Sequence, residues 1–330
     1  MFFYFSRTLV RLGLPLYLRK LCVTNASAVP TDAPVLLASN HSGSFFDAVV
    51  IGSVLRQPIH TLTRGDVFRN PKAAYWLRAI KLIPVFRGSE GRDNLKKIDT
   101  TLDECFSVMK NNGAVIIFSE GICVNEWNLR PLGKGTARMA HQAWYGPDTA
   151  LHQLTVIPTG LTYEHFRGAN KRVVLRFGDA IHPQDIKTSP DEYEKWLREF
   201  NGLLTERMRR TILEIPAEAI GPETDQQLNA YFASCPRPSG NPALDFLGKL
   251  GRGIHRPLYR AYVRFVAGKT KKTVFYDSVL FGLLMYSYPV LVSLLAILIG
   301  SFTSWTVGLV IFASLPLLAL CGNRYRKDPL

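Results

Sequence analysis

From Ser278 to Asn323 the chain carries no charged residue, and no other feature limits its fold as severely. A bilayer core about 30 Å thick takes roughly 20 apolar residues per helix, so the stretch is long enough for two spans. The small and polar run Gly300-Ser301-Phe302-Thr303-Ser304 divides it, which predicts spans over 278–299 and 305–322. Lys269, Lys271 and Lys272 flank the first, and Arg324, Arg326 and Lys327 follow the second. Two crossings return the chain to the side it left, and basic flanks favour the cytoplasmic side. A pair of buried core helices, or a shallow re-entrant hairpin, is the alternative, because Pro289 and Pro316 bend helices.

Charge points the same way. The formal net charge of +14 calls for an anionic partner. Residues 247–275 hold eight basic residues and no acidic one, directly before the apolar stretch. That placement favours membrane phospholipids over nucleic acid, for which no recognisable module is present. Arg252, Arg256, Arg260 and Arg264 recur every four residues and form one slowly drifting stripe on a helix. Such a helix can lie on anionic headgroups, or its stripe can be a plain solvated face. The N-terminal residues 1–23 are aromatic, basic and free of acids, with an apolar run interrupted by Arg7 and Arg11. They read as an interfacial helical hairpin bent near Gly13-Leu14-Pro15 rather than as a signal peptide. The five cysteines are odd in number, scattered and without a CxxC pair, so neither a disulfide framework nor a zinc site is expected. Unpaired thiols fit a reducing compartment.

Between residues 33 and 180 apolar runs alternate with amphipathic ones. Strands are expected at 34–39, 81–86, 114–119, 154–163 and 171–178, and helices at 47–56, 70–80, 94–111 and 135–146. Residues 189–232 read as mostly helical. The fold class is therefore α/β, with a mixed, largely buried sheet flanked by helices, an N-terminal interfacial hairpin and a C-terminal transmembrane hairpin. Three parts follow: a membrane-interface segment (1–30), an α/β domain with a helical end (31–240), and a basic juxtamembrane helix with two spans (241–330).

The residues able to carry chemistry stand at the strand ends. His41 follows an apolar strand, and Asp47 lies in the helical turn after it, where a carboxylate can hold the imidazole in the tautomer a general base needs. Ser44-Phe45-Phe46-Asp47 also fits a capping box, in which Asp47 serves only the helix start. Further on, Arg87-Gly88 follows the run Ile83-Pro84-Val85-Phe86, and a guanidinium there can grip a phosphate. Glu120-Gly121 ends the next strand in a turn. Arg130, Lys134 and Arg138, with two glycines, lead into a helix start that suits an anion. Val156-Ile157-Pro158-Thr159-Gly160 breaks a later strand with proline.

In order and spacing these blocks resemble the glycerolipid acyltransferases typified by bacterial lysophosphatidate acyltransferase, over roughly residues 34–165. The resemblance implies that His41 deprotonates the acceptor hydroxyl and Asp47 orients it. It also implies that Arg87 and Gly88 belong to the phosphate-binding motif and that Glu120 and Gly121 complete the acceptor site. Arg130 and Lys134 would add anion-binding charge, and Pro158 matches a mainly structural block. The chain departs from the pattern in having five residues rather than four between His41 and Asp47, with Phe46 where the aspartate is usual. A loop bulge near Gly43 would absorb the extra residue. Ser119 also replaces the usual proline of the Phe-Pro-Glu-Gly block.

The expected activity is transfer of a fatty acyl group from acyl-CoA or acyl carrier protein to the hydroxyl of lysophosphatidate in phospholipid synthesis. It needs neither metal nor bound cofactor and takes place on the cytoplasmic face of the membrane that anchors the enzyme. Glycerol 3-phosphate or a lyso-aminolipid is the alternative acceptor. A catalytically silent lipid-binding protein is the alternative of another class.

Overall fold

Seven short apolar runs form one sheet in the computed structural model, which describes residues 1–86, 93–271 and 273–324. They are β1 (Lys20–Thr24), β2 (Val35–Ser39), β3 (Ile59–Arg64), β4 (Leu82–Val85), β5 (Ala114–Phe118), β6 (Thr155–Tyr163) and β7 (Arg172–Phe177). Their spatial order is β1-β7-β6-β2-β5-β3-β4, and each pairing is parallel except that of β6 with β7. The helices are α1 (Phe2–Tyr17), α2 (Phe45–Val54), α3 (Pro71–Ala79), α4 (Asp93–Lys110), α5 (Gly135–Tyr145), α6 (Tyr193–Arg209), α7 (Thr224–Tyr231), α8 (Pro242–Thr270), α9 (Tyr276–Phe302) and α10 (Trp305–Arg324). Parallel neighbours cannot be joined by tight turns, so helices cross between them and cover both faces.

β2 shows the consequence, since all five of its residues are buried. Leu36 and Ala38 face a core shared with Trp144, Trp196 and Phe200 of α5 and α6. Val35 and Leu37 face the opposite core, with Tyr17, Phe46 and Phe281 of α1, α2 and α9. The central strand is thereby clamped between two apolar layers, and its C-terminal end is held firmly where His41 begins. β6 runs unbroken through Pro158, contrary to the expected interruption. β7 pairs with β6 only from Thr159 onward, so the missing N–H of Pro158 removes no bond to β7.

The N-terminus departs from expectation. Residues 2–17 form one helix rather than a hairpin, because Gly13 sits against the Phe281 ring and Pro15 stands in the last turn, with little helix left to disturb. β1 then joins the sheet edge beside β7, so the helical segment ends at Tyr17 and not near residue 30. Strand β3 is a second element that the apolar pattern did not single out.

The C-terminal hairpin is present as expected. Mean hydropathy reaches 2.1 in α9 and 2.0 in α10, yet only 11% of either apolar window is buried. A core helix would be mostly buried, so this pair does not fit the buried-core alternative. α10 also lies along α8. Gly251 allows that approach, because a Cβ there would stand 2.0 Å from the Leu318 carbonyl oxygen.

The cysteines require a correction. Cys22 and Cys235 form a disulfide across 213 residues of sequence, with Cα atoms 5.8 Å apart. Sequence spacing could not reveal it, since the pair meets only when Phe232–Ser234 packs over β1 and β7. Arg172 assists by donating to the Phe232 carbonyl at 3.1 Å. Cys105, Cys123 and Cys321 are free. Alkylation of the denatured, unreduced protein should therefore label three cysteines, and five after reduction. Cys22→Ser should lower unfolding stability by about 2–4 kcal/mol. Labelling of all five without reductant would show that the bond does not form.

Candidate active site

Parallel sheets gather functional residues at the C-terminal ends of their strands. Ser39 of β2 is in register with Phe118 of β5 and Thr159 of β6, so the loops after these strands rise side by side. Asn40 fixes the first loop. Its side-chain amide donates to the Leu161 carbonyl at 3.0 Å and accepts from the Leu161 N–H at 2.8 Å, replacing a rung of the ladder. His41 follows, and its ring stacks on Phe118 with centroids 3.9 Å apart.

The imidazole Nδ1 lies 2.9 Å from Asp47 Oδ2. Asp47 is fully buried, and its carboxylate takes two more hydrogen bonds. The Gly43 N–H donates to Oδ2 at 2.9 Å, and the Tyr163 hydroxyl donates to Oδ1 at 2.7 Å. A carboxylate at Nδ1 holds the proton there and leaves the Nε2 lone pair outward. Among the described residues Nε2 has no hydrogen-bond partner, while the His41 side chain keeps 18% of its exposure. The expected capping box does not form: the Ser44 side chain makes no cap bond, its N–H goes to Cys123 Sγ, and Asp47 takes the Gly43 N–H one residue before the helix cap.

The extra residue between His41 and Asp47 is absorbed one position later than expected. Ser44 takes the positive φ, at 59° with ψ −139°. Gly43 matters for space instead, since a Cβ there would stand 2.6 Å from Asp47 Oδ1 and 3.0 Å from the Tyr163 hydroxyl. Ser278 of α9 reaches the same loop, and its neighbour Asp277 reaches Lys171 beside β7. Ser278 Oγ accepts from the Phe46 N–H at 3.0 Å, and Asp277 binds Lys171 in a buried ion pair.

Glu120 stands in the turn after β5. Burial pushes its carboxyl up to about 8, opposed by the main-chain amides of His41 and Arg130 and aided by the charges of Asp47 and Glu126. Gly121 provides the left-handed backbone, φ 71°, that closes this turn. Cys123 accepts from the Ser44 N–H at 3.1 Å, and burial pushes its thiol up to about 12. It therefore stays protonated and is no competing nucleophile. Arg130 pairs with Glu126, and Lys134 pairs with Glu194 of α6 at 2.7 Å on the surface. Neither side chain thus meets the His41–Asp47 pair, although the Arg130 main chain meets Glu120. Arg87 and Gly88 lie outside the described residues; the preceding strand, β4, stands three places from β2. Tyr163 and Ser278 had no signal in the local motif, because each reaches the loop from far along the chain; Asn40 stands beside His41, but its partner Leu161 is 121 residues away.

Two measurements test this arrangement. Gly43→Ala should cost about 1–3 kcal/mol of unfolding stability by displacing Asp47, whereas Ser44→Gly should be neutral or stabilising because glycine relaxes the positive φ. Equal stability of Gly43→Ala and wild type would contradict the close approach. Glu120 adds a pH dependence. Between its ordinary 4.5 and about 8 the folded chain keeps a proton that the unfolded chain releases. Its contribution to stability is complete below that window and lost as pH rises through it. Glu120→Gln should flatten this part of the stability–pH curve, as read by thermal unfolding across the window.

Residues 20–162 match the family model described as Acyltransferase, a range that includes His41, Asp47 and Glu120. Among solved structures the chain is similar to the 1-acyl-sn-glycerophosphate (LPA) acyltransferase PlsC from Thermotoga maritima. The two are 15% identical, with a TM-score of 0.41, and the likeness covers 62% of this chain and 79% of that one. No curated protein matches. The matched segment, with the pair His41–Asp47 seated in it, is similar to the acyltransferase family.

Proposed function

We propose that the chain moves a fatty acyl group from acyl-CoA or acyl carrier protein to the hydroxyl of lysophosphatidate, a glycerolipid acceptor held at the membrane. The observation that carries this reading is the bond from His41 Nδ1 to Asp47, with Nε2 unengaged among the described residues. An imidazole so held is a general base. His41 Nε2 removes the hydroxyl proton as the acceptor oxygen attacks the thioester carbonyl carbon. Collapse of the tetrahedral intermediate breaks the C–S bond, and the imidazolium returns its proton to the leaving thiolate. Asp47 stabilises the imidazolium between these steps. No metal or bound cofactor takes part.

Below about 8 Glu120 is protonated and adds no negative charge beside an anionic acceptor. Its proton can then donate a hydrogen bond to that acceptor. Arg87, with Gly88, is assigned the phosphate, supported by Arg130, and Gly121 shapes the turn. Lys134 would have to leave Glu194 to take part. A silent lipid-binding role has less support, since a non-catalytic loop has no need of a histidine oriented by a buried carboxylate. The length, hydropathy and exposure of α9 and α10 support insertion as a hairpin. Their basic flanks support a cytoplasmic face for the domain, while the Cys22–Cys235 disulfide argues against a reducing compartment.

The purified full-length protein should transfer label from acyl-CoA or acyl carrier protein to lysophosphatidate in a panel that includes glycerol 3-phosphate and a lyso-aminolipid. His41→Ala should lower kcat by about 10²–10⁴-fold. Undiminished turnover in that variant would remove His41 from the chemistry. Arg87→Ala should raise KM for lysophosphatidate; an unchanged KM would point to an acceptor without phosphate.

A further inference from the structure

A cavity of about 1130 Å³ lies between α1, α8, α9 and α10, larger than the ~300–1,000 Å³ of ordinary small-molecule sites. Its walls are mainly apolar, with Leu12 and Leu16 of α1 and Phe312 and Leu317 of α10 among them. Lys249, Arg252 and Arg256 of α8 line it too, against one acid on the wall, Asp245. None of the three cations makes an ion pair with an acid among the described residues. His255, by contrast, is occupied, bridging the Gly251 carbonyl and the Tyr288 hydroxyl at 2.8 Å each.

One of the cations stands at a definite depth. Arg252 donates to the Gly322 carbonyl at 3.3 Å, in the last turn of α10 beside its basic flank. Phe312 lies ten residues earlier on that helix, about 15 Å deeper at 1.5 Å per residue. The space therefore runs from a cationic edge, where the span leaves the bilayer, into an apolar interior. It is also separate from His41. None of His41, Asp47, Phe118 or Glu120 lines it, and the edge-to-face rings of Tyr17, Phe46 and Phe281 stand between.

We propose that this cavity binds an anionic phospholipid of the bilayer, its phosphate held by Lys249, Arg252 and Arg256 and an acyl chain laid along α1 and α10. The inference rests on α9 and α10 being membrane spans. It assigns a lipid that does not react, apart from the acceptor at His41. Charge and shape both select this occupant: an uncharged lipid would leave three cations without an acid partner among the described residues, and a soluble phosphate would leave the apolar walls empty.

The test uses the full chain in phosphatidylcholine nanodiscs, with and without phosphatidylglycerol, read by native mass spectrometry of retained lipid and by thermal unfolding. Phosphatidylglycerol should be retained selectively and should raise the midpoint. Lys249→Glu with Arg252→Glu should weaken retention about tenfold or more. Gly253→Leu should weaken it as well by filling the cavity, where a Cβ meets nothing within 4 Å. Arg264→Glu, an exposed member of the same basic stripe, should leave it unchanged. Equal loss in Arg264→Glu would reduce the effect to general surface attraction and overturn the site. So would full retention in Gly253→Leu, or equal stabilisation by inorganic phosphate. Carbonate extraction separates the two readings. Release of the chain from membranes sinks the span assignment, whereas a chain that stays while its variants bind normally sinks this inference alone.

Discussion

The buried carboxylate of Asp47 is the interaction on which the site depends. An ion of this size taken out of water costs several kcal/mol unless its oxygens are satisfied. Here three donors arrive from three places: the Gly43 amide, the His41 imidazole and the Tyr163 hydroxyl. Each constrains a different element. Gly43 sets the loop, His41 the end of β2, and Tyr163 the end of β6. Because loss of any donor leaves a charged oxygen under-satisfied in the interior, the geometry is stiff. The histidine is aimed by the folding requirement of its partner.

Tyr163 carries that constraint further. Its hydroxyl serves Asp47, while its ring lies 5.4 Å from the Lys171 ammonium. Lys171 is fully buried and pairs with Asp277 in the first turn of α9, and burial lowers the pKa of its ammonium. Asp277 also accepts from the Tyr17 hydroxyl at 2.9 Å and the Gly168 N–H at 2.7 Å. Breaking a buried pair of this kind by removing one partner costs about 3–5 kcal/mol. The start of the apolar hairpin is thus fastened to the same polar layer that orients His41. The start of α9 and the His41 loop are one packed unit, joined through the bond from the Phe46 N–H to Ser278 Oγ.

Much of this was legible in the sequence wherever a signal is local. The apolar runs at 34–39, 114–119 and 154–163 are strands within a residue or two, because burial on both faces demands continuous apolar sequence. The hairpin was plain from the absence of charge. His41 and Asp47 were legible as a pair because only five residues lie between them. What stayed hidden was long-range: Tyr163 meets Asp47 across 116 residues, Asp277 meets Lys171 across 106, and Cys22 meets Cys235 across 213. Edge strand β1 was hidden for a related reason. Its burial is partial, and the aromatic, basic sequence before it resembles a membrane surface segment more than a strand.

The extra residue before Asp47 has a physical consequence beyond the loop. Helix α2 starts at Phe45, and successive helical residues point about 100° apart. Phe46 and Asp47 therefore face different neighbours. Phe46 turns into the rings of Tyr17 and Phe281, at 5.4 and 5.3 Å, where it is fully buried. Asp47 turns toward Tyr163 and His41. A helix begun one residue earlier relative to His41 would set the carboxylate where the ring now packs, against apolar neighbours that cannot satisfy it. The positive φ at Ser44 avoids this at a local cost of about 1–3 kcal/mol. That cost is small beside a buried carboxylate without donors, so the longer spacing and the aromatic join to α9 support one another.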